Sequence, residues 1–171
     1  MKTDKRGEQK YRKGYKKMKA AIFIVDTGMY KAKAESASAA AMKRMLVQVG
    51  FEVKAVGALP QEKALVSSVL RKLADTGAVD LILTTGACGY RASDCAPDAL
   101  AEAADRLLPG IPEAVRAYMI RYSKKALLDR SAAGIRKKTL IVNLPDSAKA
   151  AKEGLEYILP ELVQIVETMK I

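Results

Sequence analysis

The segment Leu81-Ile82-Leu83-Thr84-Thr85-Gly86-Ala87-Cys88-Gly89 limits the choice of fold more than any other part of the chain. An apolar, β-favouring run stops at two threonines and a glycine-bearing turn. Helical periodicity resumes past Asp94, through Pro97-Asp98-Ala99-Leu100. In an α/β protein such a junction lies at the carboxyl end of a strand, where ligand crevices form. Glycines there let backbone N–H groups approach a ligand closely, and the next helix points its positive end the same way. The arrangement suits a phosphate. Its spacing is not the Gly-x-Gly-x-x-Gly fingerprint, and the Lys-Ser/Thr of a P-loop is missing.

The rest of the chain alternates strand-like and helix-like segments. Ala20 to Asp26 is a short apolar run, as expected of a strand buried on both faces. Over residues 36–49, Ala37, Ala41, Met45 and Val49 recur four apart, and Gly50 ends that helix. Phe51 to Val56 alternates as a strand nearer an edge. Pro60 opens a helix whose Leu65, Val66, Val69, Leu70 and Leu73 share a face, closing near Gly77. Val79 to Thr84 is the next buried strand. Asp94 is a natural N-cap for the helix that follows, with Pro97 in its first turn. Pro109-Gly110-Ile111-Pro112 breaks the chain before a helix near residues 113–121. Thr139 to Leu144 is a further strand, Ser147 caps a final helix, and Pro160 is expected to break that helix. This rhythm predicts right-handed βαβ units and an α/β fold around a mostly parallel sheet.

Composition narrows the chemistry. A length of 171 residues suits one domain, and an aromatic fraction of 5% with no Trp implies a core of Ala, Val, Ile, Leu and Met. No histidine is present, so Ser-His-Asp and Cys-His nucleophile systems are impossible. Two cysteines are too few for a disulfide framework and make a zinc site improbable. Cys88 and Cys95 flank the loop. Cys95 near a helix N-terminus invites a lowered thiol pKa and a redox pair, against the plainer expectation of small-residue packing. No apolar run nears the ~20 residues that cross a bilayer, and the first 19 residues hold no apolar signal core, so a cytoplasmic protein with no membrane insertion is expected. Of the formal net charge of +11, most sits in residues 1–19, which carry nine lysines and arginines against two acids. That segment reads as a disordered basic tail ahead of a domain over residues 20–171. It is either a solvated extension or a contact for an anionic partner, with Tyr11 and Tyr15 placed to stack on bases.

An ordered set of motifs now resembles the molybdopterin-binding, or molybdopterin adenylyltransferase-like, domain family of molybdenum cofactor biosynthesis. Thr84-Thr85-Gly86-Ala87-Cys88-Gly89, then Asp94, then Pro97-Asp98-Ala99 match that family's loop. Pro109-Gly110-Ile111 with Glu113 and Arg116, Leu128-Asp129-Arg130-Ser131-Ala132-Ala133-Gly134, and Thr139 through Lys149-Ala150 follow in the family's order. The resemblance implies a three-layer α/β sandwich, a homotrimer and a molybdopterin ligand. In catalytic members it also implies transfer of AMP from ATP to the pterin's terminal phosphate with magnesium. It assigns Asp94 as the catalytic and metal-holding acid. It places Thr84, Thr85, Gly86, Ala87, Cys88, Gly89, Asp26, Gln61, Asn143, Pro145 and Ser147 at the ligand. Phosphoryl and nucleotidyl transfer rest on positioning and charge neutralisation, which glycine turns and a metal-holding acid supply.

The departures from that pattern matter as much. The loop's second glycine is Ala87 and its small polar residue is Cys88. An acid of the second helix's opening turn is Gln61, and Asp146 replaces a glycine after Pro145. The segments Val25-Asp26 and Ser36-Ala37-Ser38-Ala39 also differ from the family's. A methyl at 87 opposes a positive φ, and a carboxylate at 146 opposes an anion. These changes are expected to cluster on the crevice. Two readings stand open: a pterin-nucleotide protein of cofactor synthesis with weak or absent adenylyl transfer, and a non-catalytic oligomeric module that kept the fold for a different anionic ligand or partner.

Overall fold

A computed structural model describes residues 16–171. Its centre is a six-stranded sheet in the order β2-β1-β3-β6-β5-β4. Strands β1 (Met18–Val25), β2 (Phe51–Leu59), β3 (Leu81–Thr85) and β6 (Thr139–Leu144) run parallel. Strands β5 (Ala133–Arg136) and β4 (Arg106–Leu107) add an antiparallel edge. Side-chain alternation divides the central strands between two cores, as a period of two requires. Ala20, Ile22, Ile24, Leu81, Leu83, Leu140, Val142 and Leu144 pack on one face with helices α2 (Ala37–Gln48), α5 (Gly110–Met119) and α6 (Ala148–Met169). Ala21, Phe23, Val25, Ile82 and Ile141 pack on the other with α3 (Lys63–Asp75) and α4 (Ala96–Ala103). The result is the three-layer α/β sandwich. No helix among the described residues is long and apolar enough to cross a membrane.

Several element boundaries differ from expectation. Strand β1 starts at Met18, two residues earlier, because it pairs in register from Met18 opposite Phe51. Of the basic tail, therefore, Lys16 to Lys19 are described and the remainder lies outside the described residues. The edge strand β2 runs on to Leu59 through Gly57. A short helix α1 (Thr27–Ala32), capped by Asp26, had no apolar signal and buries no residue. Helix α3 begins only at Lys63, and α5 already at Gly110. Asp94 caps nothing: Cys95 holds the N-cap position of α4 and makes no side-chain cap bond.

Helix α6 continues unbroken through Pro160. An interior proline costs about 3 kcal/mol. Leu155, Ile158 and Leu159 on one side, with Leu162 and Val166 on the other, are all buried. Each such burial stabilises by about 1.5–3 kcal/mol. Pro160 itself faces solvent, so the missing N–H lies on the face where a helix bends most readily. Packing on both flanks holds the helix together.

Candidate functional site

Strands β3 and β6 end side by side, and the loops after them build the site. The β3 loop turns at Gly86, whose φ of +93° puts any Cβ 2.6 Å from the Val25 carbonyl oxygen. Only glycine fits there. Ala87 follows at φ +55°, so the left-handed geometry is retained although the residue is not glycine. The loop then closes on its own acid. Asp94 Oδ2 accepts the Arg91 N–H at 3.0 Å, and a Cβ on Gly89 would meet the same oxygen at 2.7 Å. Arg130 clamps the loop from outside. Its backbone N–H donates to the Cys88 carbonyl at 2.7 Å, and Nη1 reaches the carbonyls of Gly89 and Asp94. Nη2 forks onto both oxygens of Asp98 at 2.8 and 3.0 Å.

The β6 loop meets this turn through two contacts. Thr85 Oγ1 donates to the Pro145 carbonyl at 2.7 Å, and the Asp146 carboxylate accepts the Cys88 N–H at 2.7 Å. Burial holds the Asp146 carboxyl above the usual carboxylate range; Asp94 and Asp129 push the same way, while the Cys88 N–H and Arg91 oppose them. Ser147 caps α6 by accepting the Ala150 N–H at 3.1 Å. A cleft of about 930 Å³ opens beside these loops. Gly89, Asp94, Pro145, Asp146 and Ser147 line its floor, and Arg91, Arg116, Lys125 and Lys149 bring positive charge to its walls. Arg116 is braced within the wall by Asp129 Oδ2 at 3.3 Å and the Ser131 carbonyl at 2.9 Å.

Of the residues expected at the ligand, the structure brings Gly89, Asp94, Pro145 and Ser147 together at this cleft. Thr84 and Asn143 are register partners on β3 and β6 and are buried. Asn143 Nδ2 donates to Thr84 Oγ1 at 2.7 Å, while its Oδ1 accepts the Ala132 N–H. Their polar atoms are committed to holding strands, not turned to the cleft. Gly86, Ala87 and Cys88 shape the turn from behind; Ala87 is 5% exposed and Cys88 fully buried. Asp26 caps α1 through the Met29 N–H at 2.8 Å. Gln61 exchanges hydrogen bonds with Thr27 and donates to the Ser93 carbonyl at 3.2 Å. Neither Asp26 nor Gln61 lines the cleft. The departures therefore do not cluster on its surface as expected: among them Asp146 alone does. Both cysteines are free, and burial pushes both thiols up rather than down, which removes the basis for a reactive redox pair. Arg130 was not expected as the loop's clamp; its place inside the Leu-x-Arg motif was the available signal.

Among the described residues, no group of three or more His, Cys, Asp or Glu side chains converges to hold a metal. Magnesium asks less of a protein, since one or two carboxylates suffice when substrate oxygens and water complete the shell. Asp94, whose Oδ2 lies close to Gly89, meets that lesser requirement.

A mostly parallel sheet inside a three-layer sandwich, with a glycine turn facing a second strand-end loop, defines an α/β domain whose crevice lies at the carboxyl ends of its strands. The chain belongs to the family described as "Probable molybdopterin binding domain", which it matches over residues 21–164. It is 37% identical over 106 residues to a molybdopterin adenylyltransferase of Helicobacter pylori, covering 62% of this chain and 60% of that protein. It is 40% identical over 100 residues to the Escherichia coli molybdopterin adenylyltransferase, covering 58% and 51%. The match thus spans between half and three-fifths of these curated relatives. The crystal structure of the molybdopterin biosynthesis enzyme MoaB from Thermus thermophilus superposes with a TM-score of 0.79 at 35% identity, covering 87% of this chain and 96% of that one. A molybdopterin biosynthesis protein from Mycobacterium abscessus does so with a TM-score of 0.80 at 28% identity, covering 90% and 97%.

Proposed function

We propose that this chain is a cytoplasmic protein of molybdenum cofactor biosynthesis that binds molybdopterin in the cleft at the carboxyl ends of β3 and β6. One observation carries this most: family motifs dispersed along the sequence, at Gly89, Asp94, Arg116 and Pro145 to Ser147, converge on one cleft. The turn at Gly86 to Gly89 brings backbone close to the ligand's anionic end. Arg91 and Lys149 on the walls lower the cost of bringing a phosphate there. Asp94 is the residue that would hold magnesium, whose chemistry is to neutralise charge on transferring phosphates. We further assign ATP as a second ligand and a homotrimer as the assembled form, with weak or absent adenylyl transfer. Asp146 adds a negative charge beside the turn, and Gln61 supplies none where family members carry an acid.

The test is calorimetric titration of the native chain with molybdopterin and with ATP–magnesium, beside an assay of AMP transfer. Saturable heat with molybdopterin and little or no transfer is expected. An absence of heat with molybdopterin would overturn the assignment. The second reading, a non-catalytic oligomeric module for a different anionic ligand or partner, draws support from the exposed Tyr122, Leu127, Leu128 and Tyr157 near the cleft rim. The basic residues 1–19 are assigned to an anionic partner, and salt-sensitive binding to a polyanion that disappears on their deletion is the corresponding check.

A further inference from the structure

We propose that Asp146 is the residue that sets ligand selectivity in this cleft: its carboxylate occupies the backbone donor at Cys88 that a ligand phosphate would otherwise take, so a phosphate binds only by displacing it. The inference rests on the molybdopterin-binding assignment above and deepens it.

Three features of the turn support an internal anion. First, the Cys88 N–H is aimed out of a tight left-handed turn and meets Asp146 Oδ1 at 2.7 Å, the short distance of a charge-assisted bond. Second, that turn is otherwise fixed from every side. Gly86 abuts the Val25 carbonyl, Thr85 ties it to Pro145, and Arg130 holds the carbonyls of Cys88 and Gly89. The loop therefore does not rearrange to offer the incoming group another donor. Third, the acid has a partner in repulsion. Asp94 Oδ2 and Asp146 Oδ2 lie 2.7 and 3.6 Å from where a Cβ on Gly89 would stand. A dianionic phosphate approaching Gly89 without a metal ion meets two carboxylates at short range. Arg130, which clamps the loop, is already engaged by Asp98. Like-charge placement of this kind discriminates against a ligand by repulsion rather than by lost attraction.

The consequence is specific to one end of the ligand. A pterin lacking its terminal phosphate does not contest the Cys88 N–H and is indifferent to residue 146. The phosphorylated form is penalised.

The experiment measures dissociation constants for molybdopterin and its dephosphorylated form with the native chain, Asp146→Gly and Asp146→Asn, each checked for an unchanged melting profile. Asp146→Gly is expected to bind the phosphorylated form at least tenfold more tightly than the native chain, with the dephosphorylated form unchanged. Asp146→Asn keeps an oxygen acceptor without the charge and falls between, which also covers the case that the glycine variant fails to fold. Equal gains for both forms, or no gain, would overturn the proposal while native binding of molybdopterin leaves the functional assignment standing. If no protein binds either form, that assignment fails. The role of Asp146 is then decided by titrating inorganic phosphate while following the Cys88 amide resonance. A shift in Asp146→Gly alone upholds it, and the same response in native and variant chains, or none in either, sinks it.

Discussion

Replacing Ala87 by glycine tests whether the turn's left-handed geometry is held at this position despite its side chain. Ala87 sits at φ +55°, a conformation that costs an L-residue about 1–2 kcal/mol and costs glycine almost nothing. Relief of that strain favours the variant. Two effects oppose it. Ala87 is buried in the cluster that holds Cys88 and Ala96, and losing its methyl forfeits about 0.8 kcal/mol. Glycine also loosens the unfolded chain, by about 0.4–1 kcal/mol. The opposing effects nearly cancel, and Ala87→Gly is expected to change stability by less than about 1 kcal/mol in either direction. At an ordinary negative φ the same substitution would lack the compensating gain and lose about 1–2 kcal/mol. Urea unfolding at constant m-value separates the two cases. A loss beyond about 1.5 kcal/mol would show that residue 87 does not occupy the left-handed region. Because the methyl points into the core and not into the cleft, ligand affinity should be unaffected.

Gly86→Ala should be severe, because its Cβ would stand 2.6 Å from the Val25 carbonyl. A loss of about 3 kcal/mol or a failure to fold is expected, and a melting temperature like the native one would refute the geometry. Asp80→Ala removes the acceptor that binds the Lys19 N–H at 2.8 Å and Lys170 Nζ at 2.7 Å. With both side chains only 18% exposed, the cost in urea unfolding is expected at about 1–2 kcal/mol, and a change under about 0.5 would contradict it. Asp75 is held below its usual carboxylate range, chiefly by hydrogen bonds from Arg136, so its ionised form is favoured in the fold. Its contribution is therefore present above the unfolded value of 3.8 and lost as pH falls through the lower folded value. The stability gap between the native chain and Asp75→Asn should close below pH 3.8, and a gap that persists there would refute the pairing. Light scattering at micromolar concentration should give a trimer, and a monomer would count decisively against that assembly.

The central strands were legible because burial on both faces writes continuous apolar runs: Leu81 to Leu83 and Thr139 to Leu144 announce themselves. The antiparallel pair of β4 and β5 was not, since Arg106 and Leu107 are exposed and Ala133-Gly134 carries no β-favouring residue. Pro160 misled because a local rule was outvoted by core contacts on either side of it. At the candidate site, the strand-end turn and Asp94 were legible in the sequence, but the direction in which neighbouring side chains point was not. Whether a threonine or asparagine faces a ligand or a neighbouring strand depends on register, and Thr84 opposite Asn143 is a tertiary fact. Ala87 shows the converse. The expected conflict between a methyl and a positive φ is present, and the fold tolerates it.

The latch at Asp80 has a consequence for attachment. Lys170 reaches both Asp80 and the Lys17 carbonyl, so residues 17 and 170 meet at the amino ends of the strands. The cleft opens at their carboxyl ends. Strand β1 alone, eight residues long, separates these poles by roughly 26 Å. A fluorophore or surface tether placed at Ile171, which is 95% exposed, therefore leaves the cleft open for binding measurements.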